Sequence, residues 1–361
     1  MNKIKVLIFV GRMEGGGVEA FVMSYFRELH DKVDFTFMCT DDSKAIPYEE
    51  IERLGSHVVL VPYPKNIFKF NKAMSEHLKV NKYDIIHSHI NTLSVFPLRM
   101  AKKYKIPVRI AHSHSSSSKK EFLRHLAKSF LKLFSKKYAN VYFACSESAG
   151  RFQFGNKAYD EGKVVMIKNA IDIKKFSYNI SYREEVRKSL DIKDSDFVVG
   201  TIGRLASAKN HKYIISLAKK APNFLFLIVG SGNMEEELRE EISKQGVQNL
   251  HIICPNLPIN YYYSAFDIFV MPSLYEGFGL AAIEAEANGL YALLSTNLPK
   301  ETLITGYGKY LPIEDNDLDL WLEEINKKPK REFRSEMIVR AGYDIHNAAD
   351  ELLEHYKKLV G

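Results

Sequence analysis

The residues with the clearest potential for chemistry lie in the run PSLYEGFGLAAIEAEANG, residues 272–289. The apolar run IFVMPS leads into this segment, which places Glu276 in a loop at the end of a predicted strand. Its carboxylate can accept hydrogen bonds from sugar hydroxyls. Helix N-termini bind phosphate or sugar oxygens through their free amides. Four residues supply such amides at the start of the predicted helix: Gly277, Phe278, Gly279 and Leu280.

A second carboxylate, Glu284, lies about two turns along that helix, since one turn takes about 3.6 residues. Its neighbours are mainly Ala and Ile, and a carboxylate is costly to bury without a partner. Glu284 could bind the two hydroxyls of a ribose. The alternative is that Glu284 and Glu286 form one solvated helix face.

Two cations follow an earlier strand-like run, VVGTIG. Gly203-Arg204 ends the run, and Lys209-Asn210 stands five residues further on. Cations at the end of a strand suit a diphosphate, whose charge they would neutralise as a nucleotide leaves. The alternative is a pair of solvated surface cations.

Near the N-terminus, the run KVLIFV is followed by Gly15, Gly16 and Gly17 at the start of a predicted helix. Adjacent glycines let backbone amides approach a phosphate, and the helix N-terminus favours negative charge. The alternative is a flexible turn between strand and helix.

Histidines occur as two pairs, His87/His89 and His112/His114, each at the end of a predicted strand. Residues two apart on a strand share a face, so each pair could bind a metal ion. Further ligands at matching strand ends are not evident from the sequence. The alternative, a structural role, is favoured more for His87 and His89 than for His112.

The elements that position these residues are apolar runs alternating with longer amphipathic stretches. Continuous apolar strands separated by helices predict parallel sheets covered on both faces. One series ends before residue 170 and another begins at FVVGTIG, with a polar stretch between about 170 and 195. The sequence therefore predicts an α/β protein with two doubly wound, Rossmann-like domains. Ligands of such sheets bind beyond the carboxyl ends of the strands, so we expect a substrate in a cleft between the domains.

Taken in order, these motifs resemble glycosyltransferase family 4, and within it the bacterial capsular and exopolysaccharide glycosyltransferases. The resemblance extends over nearly the whole chain. The segments that carry it are Gly15-Gly16-Gly17-Val18-Glu19, HSH at 112–114, Cys145-Ser146-Glu147 before Phe154-Gly155, Lys168-Asn169-Ala170-Ile171-Asp172, Gly203-Arg204 with Lys209-Asn210, and Glu276-x7-Glu284.

The resemblance implies a GT-B fold with an acceptor-binding domain over residues 1–170 and a nucleotide-sugar-binding domain over residues 171–345. A C-terminal helix, about residues 346–361, is expected to pack back on the first domain. The implied activity is that of a retaining hexosyltransferase, with no required metal and no cofactor. A UDP-sugar is the favoured donor.

The resemblance also implies roles for individual residues. Arg204 and Lys209, after Gly203, would hold the diphosphate, Glu276 the donor sugar and Glu284 the ribose. Gly15, Gly16 and Gly17, together with His112 and His114, would bind the acceptor, and Gly16 would also approach the phosphate. His112 is expected near the reacting centre, and His114 would take that role if the strand ends later. The predicted catalytic residues are His112, Glu276, Arg204 and Lys209.

The charge is uneven along the chain. Residues 1–168 contain 28 Lys and Arg against 16 Asp and Glu, a net +12, whereas the whole chain is +7 and the remainder therefore −5. The first half is thus expected to face an anionic partner, which we take to be a membrane and not a nucleic acid. The segment 119–138, KKEFLRHLAKSFLKLFSKKY, has apolar residues at helical spacing and seven cations against Glu121. It resembles a helix lying on anionic lipid. The alternative is a surface helix packed on the sheet.

These features predict a cytoplasmic protein, peripheral on the inner face of the membrane, acting on a polyprenyl-diphosphate-linked acceptor. No run approaches the ~18 apolar residues of a membrane span. The cysteines Cys39, Cys145 and Cys254 form no close pair, which argues against a disulfide framework or a zinc site. Three other functions stay open: an H-x-H metal hydrolase, a nucleotide-sugar epimerase of the same fold, and a non-catalytic partner subunit.

Overall fold

Two parallel β-sheets carry the chain in the computed structural model, which describes residues 3–114 and 136–361. The strands of the first sheet are β1 (Ile4–Gly11), β2 (Val33–Thr40), β3 (His57–Val61), β4 (Ile85–Ser88), β5 (Val108–Ser113), β6 (Val141–Ala144) and β7 (Val164–Met166). Those of the second are β8 (Val198–Ile202), β9 (Leu225–Val229), β10 (Leu250–Ile253), β11 (Ile268–Met271), β12 (Tyr291–Ser295) and β13 (Gly308–Leu311).

Helices connect these strands along the described chain. In order they are α1 (Gly17–Leu29), α2 (Tyr48–Arg53), α3 (Ile67–Val80), α4 (Val95–Lys103), α5 (Glu147–Phe154), α6 (Asn156–Asp160), α7 (Ile173–Phe176), α8 (Ile180–Ser189), α9 (His211–Lys220), α10 (Glu235–Lys244), α11 (Ile259–Ala265), α12 (Leu280–Ala287), α13 (Leu318–Asn326), α14 (Ser335–Arg340) and α15 (Ile345–Val360).

Both sheets are doubly wound. The strand order is β3-β2-β1-β4-β5-β6-β7 in the seven-stranded sheet and β10-β9-β8-β11-β12-β13 in the six-stranded one. Every strand pair is parallel. In each sheet the order reverses beside the first strand, and ligands of such sheets bind at that switch point. The predicted α/β class with two Rossmann-like sheets is confirmed.

The alternation of side chains along a strand explains why the runs are continuously apolar. Val6, Ile8 and Val10 of β1 belong to one hydrophobic cluster, whereas Leu7 and Phe9 belong to the cluster on the other face. The second sheet divides in the same way, with separate clusters on its two faces. A strand buried on both faces needs apolar residues at every position.

The contacts divide the chain into two compact units. Unit 1 comprises residues 1–170 together with 345–361, and unit 2 comprises residues 171–344. Within unit 1, α15 packs against α1. An ion pair of 3.0 Å between Lys32 and Asp350 lies at that contact.

The strands predicted from long apolar runs are all present, with ends shifted by at most a few residues. Strands β7 and β13 were not predicted from the sequence. Both lie at an edge of their sheet, where one side lacks a neighbouring strand. The four residues of β13, GKYL, include a glycine and a lysine and so lack a continuous apolar run.

Candidate functional site

The loops that follow β8 and β11 are joined by a partly buried ion pair in unit 2. Lys209 Nζ lies 2.6 Å from Glu276 Oε1, and the two side chains are 23% and 12% exposed. Ser273 donates a hydrogen bond from Oγ to the same carboxylate oxygen at 2.8 Å. The amide of Leu274 donates to the carbonyl of Ala208 at 2.8 Å. The structure thus brings together two predicted site residues from distant parts of the sequence.

Gly203 lies beneath the Lys209 side chain. A methyl group at Gly203 would stand 3.5 Å from Lys209 Cε, and Arg204 beside it is exposed. Gly230, at the end of β9, has φ +156°, and a Cβ there would lie 1.9 Å from the carbonyl oxygen of Gly203. Only glycine fits this close approach. The sequence analysis missed Gly230, although Gly-Ser-Gly at 230–232 is a turn signal.

The loop between Glu276 and α12 is fixed by two contacts. Thr302 donates from Oγ1 to the carbonyl of Phe278 at 2.6 Å, and the Phe278 ring stacks on Tyr343 with a centroid distance of 5.3 Å. Gly279 has φ +94°, a left-handed conformation that favours glycine. The predicted amide donors, Gly277 to Leu280, therefore lie at the start of α12 in an ordered loop.

Glu284 accepts a hydrogen bond of 2.6 Å at Oε2 from the hydroxyl of Tyr263. Burial raises the pKa of Glu284 above its usual value, while the Tyr263 hydrogen bond and the charges of Lys175 and Lys209 act in the opposite direction. The sequence analysis missed Tyr263 and Lys175, because neither belongs to a motif. A buried carboxylate with one strong donor and nearby cations can bind a further hydroxyl group through its remaining lone pairs.

Glu286 has a different environment, so the alternative of one solvated face shared with Glu284 is wrong. Glu286 is 2% exposed. Its carboxylate accepts hydrogen bonds from the amides of Ile304 at 2.9 Å and Thr305 at 2.8 Å, and from the Thr305 hydroxyl. Glu286 therefore anchors the loop before β13.

In unit 1, the glycine turn already holds a carboxylate. Glu19 accepts hydrogen bonds of 2.9 Å from the amides of Glu14 and Gly16. Gly15 has φ +77°, and a methyl group at Gly16 would lie 2.8 Å from Glu19 Oε2. The Gly16 amide, a predicted phosphate contact, is thus paired within the turn. An anion that binds this amide would have to displace the Glu19 carboxylate or share the amide with it.

A pocket of about 240 Å³ opens beside this turn, at the carboxyl ends of the first four strands. Its lining includes Arg12, Glu19, Thr40, Tyr63, His89 and Asn91. Arg12 pairs with Asp42. The sequence analysis missed Thr40, Tyr63 and Asn91. The predicted acceptor residues Gly15, Gly16, Gly17, His112 and His114 lie outside this lining.

The four histidines of β4 and β5 form one buried group, which we call the histidine cluster: His87, His89, His112 and His114. None is more than 7% exposed. His87 Nε2 lies 3.0 Å from His112 Nδ1, and His89 Nδ1 lies 2.9 Å from His114 Nε2. The two pairs were considered separately in the sequence, where further ligands were not evident. That view is wrong, since neighbouring parallel strands place them side by side.

Burial governs the charge of the histidine cluster. It lowers the pKa of His87, His89 and His112 well below 6.5 and that of His114 to about 3. The four rings are therefore neutral at pH 7. Ring nitrogens of His87, His89 and His112 come within 4.8 Å of one another, although both nitrogens of His87 already have hydrogen-bond partners.

A larger pocket, of about 570 Å³, lies in unit 2 against β9 and β10. Its lining contains Leu190, Arg239 and His251 but none of the predicted site residues. We place the candidate site at the carboxyl ends of the strands, because the charged and hydrogen-bonded side chains converge there.

The predicted membrane-facing segment 119–138 lies outside the described residues except for its last three positions. Among the helices that the structure describes, none combines the length and apolar character needed to cross a bilayer.

Comparison with known families matches both units. The family model described as Glycosyltransferase Family 4 matches residues 15–175. The model described as Glycosyl transferases group 1 matches residues 182–343. The two matches follow one another along the chain and divide it close to the boundary between the units.

Two curated relatives match over most of their length. EpsF of Bacillus subtilis (strain 168), which is named as a glycosyltransferase, is 29% identical over 372 residues, with 98% of this chain and 96% of the relative covered. UDP-Gal:alpha-D-GlcNAc-diphosphoundecaprenol alpha-1,3-galactosyltransferase of Escherichia coli is 25% identical over 327 residues, covering 86% and 84%.

Among solved structures, Anabaena Alr3699/HepE in complex with UDP and glucose superposes with a TM-score of 0.79. The sequences are 16% identical, and the match covers 98% of this chain and 100% of the other. At this identity the likeness concerns the fold alone. It shows that the fold is of the GT-B type, as the sequence motifs predicted.

Proposed function

We propose that this chain, which belongs to glycosyltransferase family 4, transfers a sugar from a UDP-sugar to a hydroxyl group of a polyprenyl-diphosphate-linked saccharide. The transfer would retain the configuration of the anomeric carbon, require no metal ion and serve the synthesis of a capsular or exopolysaccharide.

The observation that carries this proposal is the ion pair between Lys209 and Glu276 at the ends of β8 and β11. It concentrates one cation and one carboxylate at the point where a ligand of such a sheet binds. In the proposed complex, Lys209 and Arg204 neutralise the diphosphate, and Glu276 accepts hydrogen bonds from the sugar hydroxyls. Glu284, held by Tyr263, binds the ribose.

The proposed reaction is a substitution on one face of the sugar. The bond between the anomeric carbon and the diphosphate oxygen breaks, and its electron pair remains on the diphosphate. A bond forms between the acceptor oxygen and the same carbon, and the acceptor proton passes to the departing phosphate oxygen. Arg204 and Lys209 would supply charge stabilisation where the negative charge develops, and that step benefits most from preorganised charge.

The choice of donor and acceptor is supported by a relative. The name of the Escherichia coli enzyme specifies UDP-Gal and a diphosphoundecaprenol-linked sugar, and that enzyme aligns with 86% of this chain. The excess of cations in the first half of the sequence is also suited to an acceptor that lies at an anionic membrane.

A donor screen tests the proposal first. A bound donor stabilises the folded state by RT ln(1 + [L]/Kd), about 2.7 kcal/mol at a hundredfold excess over Kd. UDP-sugars are expected to raise the melting temperature more than GDP- or ADP-sugars. Transfer to a synthetic undecaprenyl-diphosphate-linked sugar should then follow without added metal and survive EDTA, with NMR showing a retained anomeric configuration.

Each competing function has its own outcome in these assays. Hydrolysis that EDTA abolishes would favour an H-x-H metal hydrolase, for which the spacing of the histidine cluster is a specific observation. Conversion of the donor without an acceptor would favour an epimerase. A protein that binds no nucleotide sugar and transfers none would favour a non-catalytic partner subunit.

We propose peripheral binding at the inner face of the membrane through residues 119–138, on the basis of their sequence. The protein should sediment with vesicles of anionic lipid at low salt. Substitution of Lys128, Lys132 and Lys136 by Gln should abolish sedimentation. Binding unchanged in that variant would contradict this location.

A further inference from the structure

A hydrogen-bonded chain runs through the core of unit 1 from α15 to the end of β5. The Tyr356 hydroxyl lies 2.6 Å from His87 Nδ1, and His87 Nε2 lies 3.0 Å from His112 Nδ1. The other nitrogen of His112, Nε2, is buried and has no hydrogen-bond partner among the described residues. Each of the three side chains is 1% exposed.

We propose that Tyr356 and His87 fix the tautomer of His112, so that His112 carries its hydrogen on Nε2 and offers it to a substrate oxygen. Tyr356 and His87 are thus positioning residues. The role of His112 toward substrate rests on the proposed function, whereas the tautomer is a property of the folded chain alone.

The surroundings of the chain make every ring neutral. Phe143 lies edge-on to His87 and His112, at centroid distances of 5.4 and 5.9 Å, and Phe21 lies edge-on to His112 at 5.1 Å. The pKa of both histidines is lowered by this burial. A neutral imidazole has one donor and one acceptor nitrogen, so the position of one hydrogen determines the next.

The donor-to-acceptor direction of these hydrogen bonds is determined by Tyr356, which stands at one end of the hydrogen-bonded chain. Tyr356 has one hydrogen to donate, and among the described residues its hydroxyl is bonded only to His87 Nδ1. That hydrogen makes His87 Nδ1 the acceptor and places the His87 hydrogen on Nε2. His87 then donates to His112 Nδ1, and His112 must carry its own hydrogen on Nε2.

The opposite direction would start from His112 Nδ1–H and end at the Tyr356 oxygen. The hydrogen of Tyr356 would then need another acceptor. A small cavity of about 20 Å³ beside Tyr356 and His87 is lined mainly by apolar side chains, including Phe21, Phe26 and Leu352. Leaving a buried hydroxyl without an acceptor costs about 1–3 kcal/mol, which favours the first direction.

The neighbouring histidine pair lacks such an anchor. His89 Nδ1 lies 2.9 Å from His114 Nε2, but His89 Nε2 has no partner among the described residues. The contacts of this pair therefore do not determine which of the two histidines donates the hydrogen bond. The difference singles out His112 as the histidine whose hydrogen is fixed by contacts far away in the sequence.

A fixed donor at Nε2 limits what His112 can do in the proposed reaction. It can donate an N–H hydrogen bond to a substrate oxygen. It cannot remove the proton of the acceptor hydroxyl, because Nε2 is already protonated and Nδ1 accepts from His87. The acceptor proton must then go to another group, and the departing phosphate oxygen is one that the reaction itself provides.

Proton–nitrogen NMR of the protein labelled with ¹⁵N-histidine tests the tautomer without substrate. His112→Gln identifies the His112 signals among those of the 12 histidines. The expected result at pH 7 is a neutral His112 with its hydrogen on Nε2. A hydrogen on Nδ1 of His112 overturns the proposal. That result would arise if a water molecule in the small cavity accepted the hydrogen of Tyr356, because the hydrogen-bonded chain could then run in the opposite direction. A doubly protonated or metal-bound ring also overturns the proposal.

Tyr356→Phe and Tyr25→Phe form a matched pair of variants. Both tyrosines line the small cavity and both lose one buried hydroxyl, but Tyr25 donates to the carbonyl of Lys168 at 2.6 Å and not to a histidine. Tyr356→Phe should convert His112 into a mixture of tautomers, whereas Tyr25→Phe should leave its spectrum unchanged. The same His112 spectrum in wild type and Tyr356→Phe overturns the proposal.

Kinetics separate this inference from the proposed function. An equal mixture of tautomers halves the competent fraction, so Tyr356→Phe should lower the transfer rate about twofold or more, and Tyr25→Phe should not. His112→Gln, which keeps an N–H donor, should retain more activity than His112→Ala. If His112→Gln is no better than His112→Ala, the donor role is wrong. If no transfer occurs in the wild type, the proposed function fails, while the NMR result still decides the tautomer.

Discussion

The carboxyl ends of the strands carry side chains of contrasting chemical character in the two units. In unit 1, the ends of β4 and β5 hold four neutral imidazoles that bond to one another. In unit 2, the ends of β8 and β11 hold Lys209 and Glu276, which bond through their charges. Both sheets are parallel and doubly wound, so the fold does not determine which chemistry stands at the carboxyl ends of the strands.

The difference follows from burial. The imidazoles are almost inaccessible to water, and desolvation disfavours the charged form of a histidine. Lys209 and Glu276 keep 23% and 12% of their side chains exposed, so each can exchange its partner for a ligand. Unit 1 therefore provides uncharged hydrogen-bonding groups, and unit 2 provides an ion pair that a substrate can recruit.

Acidification should produce the largest difference in stability between the two units. In the folded protein the pKa of each cluster histidine is lowered, whereas the unfolded chain binds protons near pH 6.5. Their contribution to stability is therefore present above pH 6.5 and is lost as the pH falls toward the lowered values. Each histidine changes the free energy of unfolding by at most about 1.4 kcal/mol per pH unit, so four change it by at most about 5.5 kcal/mol per pH unit.

Hydrogen exchange at pH 7.5 and pH 5.0, corrected for intrinsic rates, measures this loss unit by unit. Strands β4 and β5 should lose protection before β8 and β11, because the cluster of unit 1 contains four histidines with lowered pKa values. Unit 2 has one buried histidine, His211, whose pKa burial lowers to about 4. His114→Gln should reduce the pH dependence, and His57→Gln, an exposed control, should not. Equal losses in both units would contradict the comparison.

The ion pair of unit 2 should dominate catalysis. Lys209→Ala and Glu276→Gln are each expected to lower kcat by about 10²–10³-fold, because the loss of one preorganised charged partner in a transition state costs about 2.7–4 kcal/mol. The control is Lys212→Ala, three residues away in α9, whose pair with Glu237 is exposed on both sides. Steady-state rates with the donor found in the screen measure the effect.

The double variant sharpens the same test. If Lys209 and Glu276 act as one unit, combining the substitutions should cost much less than the two single effects added together. Full additivity would mean that the two side chains act independently. Near-normal turnover in both single variants would remove them from the site.

Much of the fold was predictable from the sequence, because burial on both faces of a parallel sheet leaves continuous apolar runs. Strands β7 and β13 were not, since β7 has only three residues and β13 contains a glycine and a lysine, so neither forms a long apolar run. The glycine turns and the Glu276 loop were also predictable, because positive φ angles and close approaches restrict residue type, as Gly279 shows.

The contacts that tune the site were not predictable. Tyr356 and His87 stand 269 residues apart, and Tyr263 and Glu284 stand 21 apart. No helical or strand period connects such positions, and a tyrosine in an apolar stripe is indistinguishable from any other core residue. For the same reason the partners of Glu284 and Glu286, two residues apart on one helix, could not be predicted: one carboxylate binds a tyrosine and the other a loop.

The smallest expected effect concerns how unit 2 supports its buried carboxylate. Tyr263→Phe leaves Glu284 without its 2.6 Å donor, which should lower the free energy of unfolding by about 1–3 kcal/mol. The Tyr263 hydrogen bond lowers the pKa of Glu284, so its loss raises that pKa further. A carboxyl group whose pKa is raised by folding destabilises the folded state when it ionises. The loss of unfolding free energy in Tyr263→Phe should therefore grow as the pH rises from 4.5 toward 7.

The matched control is Tyr262→Phe, which loses a hydrogen bond of 2.8 Å to the neutral amide of Asn256. Its loss of unfolding free energy, measured by urea unfolding, should be independent of pH. A Tyr263→Phe deficit that is equally flat would mean that Glu284 is protonated throughout this range, so that unit 2, like unit 1, would hold a neutral titratable side chain at its strand ends.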